Sequence, residues 1–252
     1  MAGSPSLAAQ FYDLDKPEAP PEVLEFYRRA AQRSRGPILE PMCGSGRYLL
    51  PLQAEGFDID GIDSSPAMLD ACRRQARKLK LEPRLFHQDI TALQLPRRYG
   101  LAFIPAGSFC LLIDPQRVRA ALRELRHALL PGGELLIEIE RAVDRRPTIS
   151  SAWEGRWLEL EDGSKIILSY LTRYSGVEQT EYSLRRYEHV HAGQLLRQEY
   201  EDFAVRFWEP ESFRAHLQEM GFSQIEAFKP YTEEALQDDD EAILFRAVRA
   251  RD

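Results

Sequence analysis

Short apolar runs alternate with stretches of helical spacing as far as Glu140. A lead-in to about Pro21 carries an aromatic pair, Phe11-Tyr12, and Glu22 to Arg33 has helical spacing. Pro37-Ile38-Leu39 reads as a short buried strand. A helix is expected from Arg47 onward, where Tyr48, Leu49, Leu50 and Leu52 supply apolar faces. The strand Asp58-Ile59-Asp60-Gly61-Ile62 ends in Asp63 and leads into a helix through Met68, Leu69 and Cys72. Two further strands are expected at Arg84 to His87 and Leu101 to Ile104. The helix from Pro115 to Leu130 should stop at the turn Pro131-Gly132-Gly133, before a strong strand from Glu134 to Ile139. Strands that alternate with helices predict a parallel sheet covered by helices on both faces.

The pattern changes after about Arg145. Trp157 to Leu160 and Ile166 to Tyr170 flank Asp162-Gly163, a strong hairpin signal. A second antiparallel pair turns near His191-Ala192-Gly193. The helical period then returns from Pro210 to Met220, with Gly221 as its C-terminal cap. Ile225 to Phe228 and Ala242 to Val248 read as the last strands, and Asp238 to Glu241 as a solvated acidic loop. The expected architecture is α/β: a doubly wound, mostly parallel sheet of seven strands with an inserted antiparallel β lid. As a single domain it divides into a lead-in and helix (1–36), an α/β core (37–144), the β insertion (145–208) and a closing helix with two strands (209–252).

One turn carries most of the chemical information. Glu40-Pro41-Met42-Cys43-Gly44-Ser45-Gly46 lies between the first strand of the sheet and the helix after it. Gly44 and Gly46 let the backbone turn tightly and leave no Cβ in the way of a ligand, and the helix start offers unpaired N–H groups. Asp63 at the tip of the next strand is where a ribose would be held. Two strand ends, a glycine turn and an acid together predict a nucleoside-bearing cofactor. A dinucleotide is the weaker fit, because Leu49 stands where the third glycine of GxGxxG would fall.

Composition narrows the setting. A hydrophobic fraction of 44% and a charged fraction of 29% over 252 residues are those of a soluble globular protein. No apolar run approaches the ~20 residues that span a bilayer, and Met1 to Ser6 lacks the features of a secretory signal. Three scattered cysteines, with no CxxC pair, argue against a disulfide framework or a metal site and suit a cytoplasmic location. A net charge of −7 argues against a bulk electrostatic hold on nucleic acid.

On these motifs the chain resembles the class I S-adenosylmethionine-dependent methyltransferases, of the small-molecule type. Glu40-x-Met42-x-Gly44-x-Gly46 is similar to the family's acid-x-Gly-x-Gly-x-Gly turn, with Met42 in place of the first glycine, which implies a slightly different turn entry. Gly61-Ile62-Asp63-Ser64-Ser65-Pro66-Ala67-Met68-Leu69 resembles its second segment, Gln88-Asp89-Ile90 its third, and Leu130-Pro131-Gly132-Gly133 the turn before its fifth strand. The resemblance implies S-adenosylmethionine as cofactor. Asp63 would hold the ribose diol, Asp89 would accept from the adenine amino group, and Gly44 and Gly46 would let the amino acid end approach. Glu40 would face the ammonium, and Tyr12 would close over the methionine end. Met42, Ser64, Met68, Ile90 and Pro105 complete the expected cofactor site.

Each assignment has a structural alternative. Asp63 or Asp89 can cap the turn that follows it, Met68 can pack in a core, and the glycines can serve close helix–strand packing. Cys43 reads as a small filler and His87 as structural, while His127 suits the negative end of a helix. Displacement at a sulfonium needs alignment and exclusion of water more than a strong electrophile. The chemistry therefore leaves little residue signature, and no catalytic residue is assigned. Tyr12, His189 and His191 are catalytic candidates, the two histidines as a substrate base, and Ser108, Phe109 and Tyr170 are candidates for acceptor contacts. Ile104-Pro105-Ala106-Gly107-Ser108-Phe109 lacks the Asn/Asp-Pro-Pro-aromatic turn of enzymes that methylate base amino groups. The β insertion is similar to the lid of small-molecule N- and O-methyltransferases and offers a homodimer surface. The implied activity is methyl transfer to nitrogen or oxygen of a small molecule. The alternatives are a protein or RNA methyltransferase and a non-catalytic cofactor-binding protein.

Overall fold

The computed structural model describes residues 6–141, 143 and 146–250. In chain order the elements are α1 (Leu7–Asp15), α2 (Pro21–Arg33), β1 (Ile38–Pro41), α3 (Leu49–Ala54), β2 (Ile59–Asp63), α4 (Pro66–Leu79), β3 (Arg84–His87), β4 (Tyr99–Ile104), α5 (Pro115–Ala128) and β5 (Leu129–Glu140). After them come β6 (Thr148–Ile149), β7 (Glu154–Glu159), β8 (Lys165–Ser175), β9 (Thr180–His191), β10 (Gln194–Arg206), α6 (Pro210–Glu219), β11 (Phe222–Phe228) and β12 (Ala242–Arg249). They form two compact units. The larger runs from residue 18 to 143 and from 207 onward; the smaller joins the residues before 18 to 144–206. The expected boundary at 144–145 lies outside the described residues.

The larger unit is a seven-stranded sheet in the order β3-β2-β1-β4-β5-β12-β11. The first five strands are parallel, and β12 runs antiparallel between β5 and β11. All four residues of β1 are buried, with Ile38 level with Ile59 on one side and Leu101 on the other. Chain order reverses on either side of β1, so a crevice opens at the carboxyl ends of β1 and β4. Local signals fix the flanking helices. Ser65 caps α4 by accepting from Met68 N at 3.3 Å, and Asp114 caps α5 by accepting from Gln116 N at 2.7 Å. Both helices start on a proline at N1. Leu69, Cys72 and Ala76 form the buried stripe of α4, and Val118, Ala121, Leu122 and Leu125 that of α5.

Two boundaries differ from the sequence expectation. The helix after the glycine turn begins at Leu49 rather than Arg47, because Gly46 N–H bonds back to Cys43 O at 2.9 Å and holds the preceding residues in a turn. The helix α5 ends at Ala128, and Leu129 already pairs with Tyr99 in the sheet. Pairing with β4 resumes at Glu134 opposite Leu101, so Pro131-Gly132-Gly133 is taken up as an irregularity inside β5.

The smaller unit is an antiparallel sheet in the order β10-β9-β8-β6, with β7 also paired to β8. Asp162-Gly163 and Ala192-Gly193 make the expected turns. Ala192 and Gly193 both have positive φ, 48° and 77°, the geometry that matches strand twist. The lead-in is a helix, α1, capped by Ser6 at Ala9 N. Its Leu7 and Phe11 are buried against Ile166, Leu168 and Tyr187 of this sheet. Phe207 and Trp208 fall in the larger unit, where Trp208 N–H donates to Glu140 O at 2.8 Å. Among the described residues no helix is long and apolar enough to cross a membrane.

Candidate functional site

The carboxyl ends of β1 and β2 are tied to each other by one side chain. Asp63 Oδ2 accepts from Gly44 N and Oδ1 from Ser65 N, each at 2.8 Å. The Ser64 N–H also acts on this carboxylate. Burial raises the Asp63 carboxyl above its ordinary range, against the pull of the Ser65 and Gly44 N–H groups.

The two glycines of the turn differ in role. A Cβ built on Gly44 meets nothing within 4 Å, whereas one on Gly46 would lie 2.5 Å from Cys72 Sγ and 3.0 Å from Leu50 Cγ. Gly44 therefore leaves space over the turn, and Gly46 permits α4 to pack close. Met42 carries φ of 58°, the left-handed conformation that glycine adopts freely. The α3 helix has only six residues, so its dipole contributes little here.

Glu40 on β1 is 2% exposed, and its Oε2 has no hydrogen-bond partner. Burial pushes its carboxyl well up, opposed by the charge of Arg47 and a bond from the Leu49 backbone. Asp89 is already engaged. Its Oδ1 accepts from Thr91 N at 2.9 Å and Thr91 Oγ1 at 2.7 Å, and its Oδ2 pairs with Arg117 at 2.7 Å. Burial raises its carboxyl, but the Thr91 and Arg117 contacts outweigh that and hold it at about 2. Ser64 is exposed and its carbonyl contacts His87 Nε2 at 3.1 Å; Met68 is half-buried and Ile90 is buried.

At the tip of β4, Pro105 is buried and Ala106 is exposed. Ser108 Oγ donates to Pro105 O at 3.0 Å. Phe109 is fully buried and meets Phe213 edge-on, with centroids 5.7 Å apart. The structure thus brings Glu40, Met42, Gly44, Asp63, Ser64, Pro105 and Ser108 to the strand tips, while Gly46 and Phe109 serve packing. Tyr12, Tyr170, His189 and His191 belong to the smaller unit. Lys16 Nζ lies 5.8 Å from the Tyr12 ring centre, and Tyr170 packs against the unit's apolar cluster. His189 Nε2 bonds Ser164 Oγ at 2.9 Å, and Ser164 in turn donates to Asp162, which fixes the hairpin turn. His191 is exposed at the end of β9.

Sequence reasoning missed Glu138 and Tyr231. Glu138 is 7% exposed on β5, and its Oε2 accepts from Ala106 N at 3.0 Å and from Tyr231 Oη. An acid inside the apolar run Leu135-Leu136-Ile137-Glu138-Ile139 was the available signal for the first. Nothing local marks Tyr231, which follows β11 in a loop.

Residues 38–133 match the family described as methyltransferase domain. A protein of Geobacillus sp. (strain WCH70), named by inference as a methyltransferase, is 23% identical over 240 residues, covering 90% of this chain and 89% of its own length. A solved S-adenosylmethionine-dependent methyltransferase from Clostridium acetobutylicum shares the fold with a TM-score of 0.77 at 16% identity, over 96% of this chain and 98% of that one. The sugar N-methyltransferase KedS8 from Streptoalloteichus sp. superposes with a TM-score of 0.75 at 20% identity, over 99% of this chain and 95% of its own. At these identities the solved structures establish the fold.

Proposed function

We propose that this chain is a class I S-adenosylmethionine-dependent methyltransferase that methylates nitrogen or oxygen of a small molecule; the family match over residues 38–133 and the strand order of the seven-stranded sheet support that reading. The observation that carries the reading is the Asp63–Gly44 pair: a carboxylate at the tip of β2 beside a turn whose ligand side is open. The strand tips suit each part of the cofactor. Asp63 suits the ribose diol. The open face of Gly44 admits the amino acid end to the backbone. The buried, unpartnered Oε2 of Glu40 suits an ammonium, which would relieve the cost of an unpaired acceptor.

Bound S-adenosylmethionine would supply a methyl group already activated by a sulfonium. The chain's part is to hold the acceptor in line and keep water out. A small acceptor is supported by the likeness in fold to KedS8, which spans the inserted sheet as well as the α/β sheet. The free, buried Cys43, Cys72 and Cys110 support a reducing location. The edge strand β10 exposes Leu195, Leu196 and Tyr200, and we assign it as the contact of a homodimer.

The test is calorimetric titration with S-adenosylmethionine and S-adenosylhomocysteine. We expect both to bind, and Asp63→Ala to weaken them at least tenfold. Unchanged affinity in that variant removes the ribose assignment, and no binding by the native chain removes the cofactor.

A further inference from the structure

The acids expected to face adenosine stand on β2 and after β3, on one side of β1. In-line displacement requires the nucleophile to arrive from the opposite side of the methyl group, toward the tips of β4 and β5. Glu138 stands there. Ile104 is level with Ile137, so Glu138 is level with Pro105, the first residue beyond β4.

Its carboxylate is held from two sides, and both bonds fall on Oε2: one from the Ala106 N–H and one from the Tyr231 hydroxyl. No described group donates to Oε1, and Oε1 is not among the sealed, unpartnered atoms, so it faces accessible space. Ala106 and Tyr231 both have left-handed backbones, with φ of 55° and 62°. The buried Tyr27 hydroxyl, which has no partner, feels the charges of Tyr231 and Glu138. The nearby charged groups are Glu140 and Arg47, and Arg47 acts on Glu40 as well.

We propose that Glu138 Oε1, with the carboxylate fixed by Tyr231 and Ala106, binds the ammonium of the acceptor and takes its proton, so that the acceptor is a primary or secondary amine. This rests on the methyl-transfer reading above. An alkylammonium titrates near ~10 and has no lone pair at neutral pH. Its proton passes to Glu138 Oε1. The freed nitrogen pair forms a bond to the methyl carbon while the carbon–sulfur pair leaves on sulfur. The product is an N-methylammonium, and Glu138 then releases its proton to water. Burial raises the Glu138 carboxyl, against the bonds from Tyr231 and Ala106, which brings it nearer to the amine. An alcohol is a far weaker acid than an alkylammonium, so a carboxylate here is better matched to nitrogen than to oxygen.

The experiment uses the full chain with a radiolabelled methyl donor. The acceptors are a panel of primary and secondary amines, D-glucosamine and benzylamine among them, each paired with its alcohol (D-glucose, benzyl alcohol). We expect transfer to amines. Glu138→Gln should lose about 100-fold in kcat/KM at pH 7, with a deficit that narrows toward pH 10 as solution supplies free amine. By calorimetry the accepted amine should bind the S-adenosylhomocysteine complex of Glu138→Gln at least tenfold more weakly, and Glu138→Asp should restore part of that. S-adenosylhomocysteine affinity should stay within about threefold in both variants, which shows that they fold. Transfer confined to oxygen, no transfer to any amine by a cofactor-binding protein, or a deficit constant with pH overturns the proposal. Failure of the native chain to bind S-adenosylhomocysteine sinks the cofactor reading instead.

Discussion

Gly44 N–H donates to Asp63 Oδ2 at 2.8 Å, joining the turn after β1 to the tip of β2. The carboxylate proposed to hold the ribose thus also holds the turn after β1. Asp63→Ala leaves the N–H groups of Gly44 and Ser65 without their acceptor, at about 1–3 kcal/mol for each that stays buried. We expect the ligand-free variant to melt several degrees lower. Asp63→Asn keeps one acceptor oxygen and should lose roughly half as much. Equal melting of the native protein and Asp63→Ala in calorimetric scans contradicts this coupling.

The two glycines should separate in mutagenesis. Gly46→Ala places a methyl 2.5 Å from Cys72 Sγ on a backbone with φ of 83°, so overpacking adds about 1–3 kcal/mol to the conformational strain. Gly44→Ala adds its methyl to open space at φ of 55°, so only strain of about 1 kcal/mol falls on the fold. We expect Gly46→Ala to be the less stable protein, and Gly44→Ala to lose more cofactor affinity relative to its loss of stability. Denaturant midpoints and calorimetric titrations on both variants measure the split.

Asp89 sets an acid limb. Its pKa is lowered from 3.8 to about 2 in the folded protein. A depressed carboxyl contributes stability in full above the unfolded value, and loses it as pH falls through the folded one. The contribution of Asp89 should therefore disappear between about pH 4 and pH 2. Arg117→Ala removes the partner on Oδ2 and should move the Asp89 titration upward, toward its ordinary value. Carboxyl NMR titration of the two proteins reads this directly. The same midpoint in both would show that the ion pair is immaterial.

A buried acid on β2 that is outside the proposed cofactor site serves as a control. Asp60 is fully buried and takes Arg84 at 2.6 Å, Arg97 at 2.7 and 2.9 Å, and the Tyr99 hydroxyl at 2.8 Å. Asp60→Asn removes the charge that this network is built around, and should cost about 3–5 kcal/mol. Cofactor affinity of the fraction that folds should not change. A loss of less than about 1 kcal/mol by urea unfolding would mean that the arginines find other partners.

The strand and helix order was legible because its signals are local. Ser65-Pro66 and Asp114-Pro115 start helices whatever lies around them. Asp162-Gly163 turns a hairpin by its own backbone preference. Met42 shows the limit of such reading. A methionine in place of a glycine implied an altered turn entry, yet Met42 takes the left-handed conformation anyway, because the flanking bonds Cys43 N to Ile62 O and Gly44 N to Asp63 hold the turn there. The lead-in shows it again. Leu7 and Phe11 find their apolar partners more than 150 residues away, on β8 and β9, and no pattern within the lead-in states that.

By itself the sequence determined the alternation of elements, the hairpins of the insertion, and the placing of Glu40, Gly44 and Asp63 at strand tips, since hydrophobic period, caps and turn residues act over a few positions. Tertiary structure decided which glycine faces open space and which faces Cys72, and that Asp89 is already paired with Arg117. It also decided that Tyr231 reaches Glu138 across 93 residues of chain. Those relationships depend on how strands are ordered and how closely helices pack, and a side chain 93 positions away leaves no trace in the local pattern of either segment.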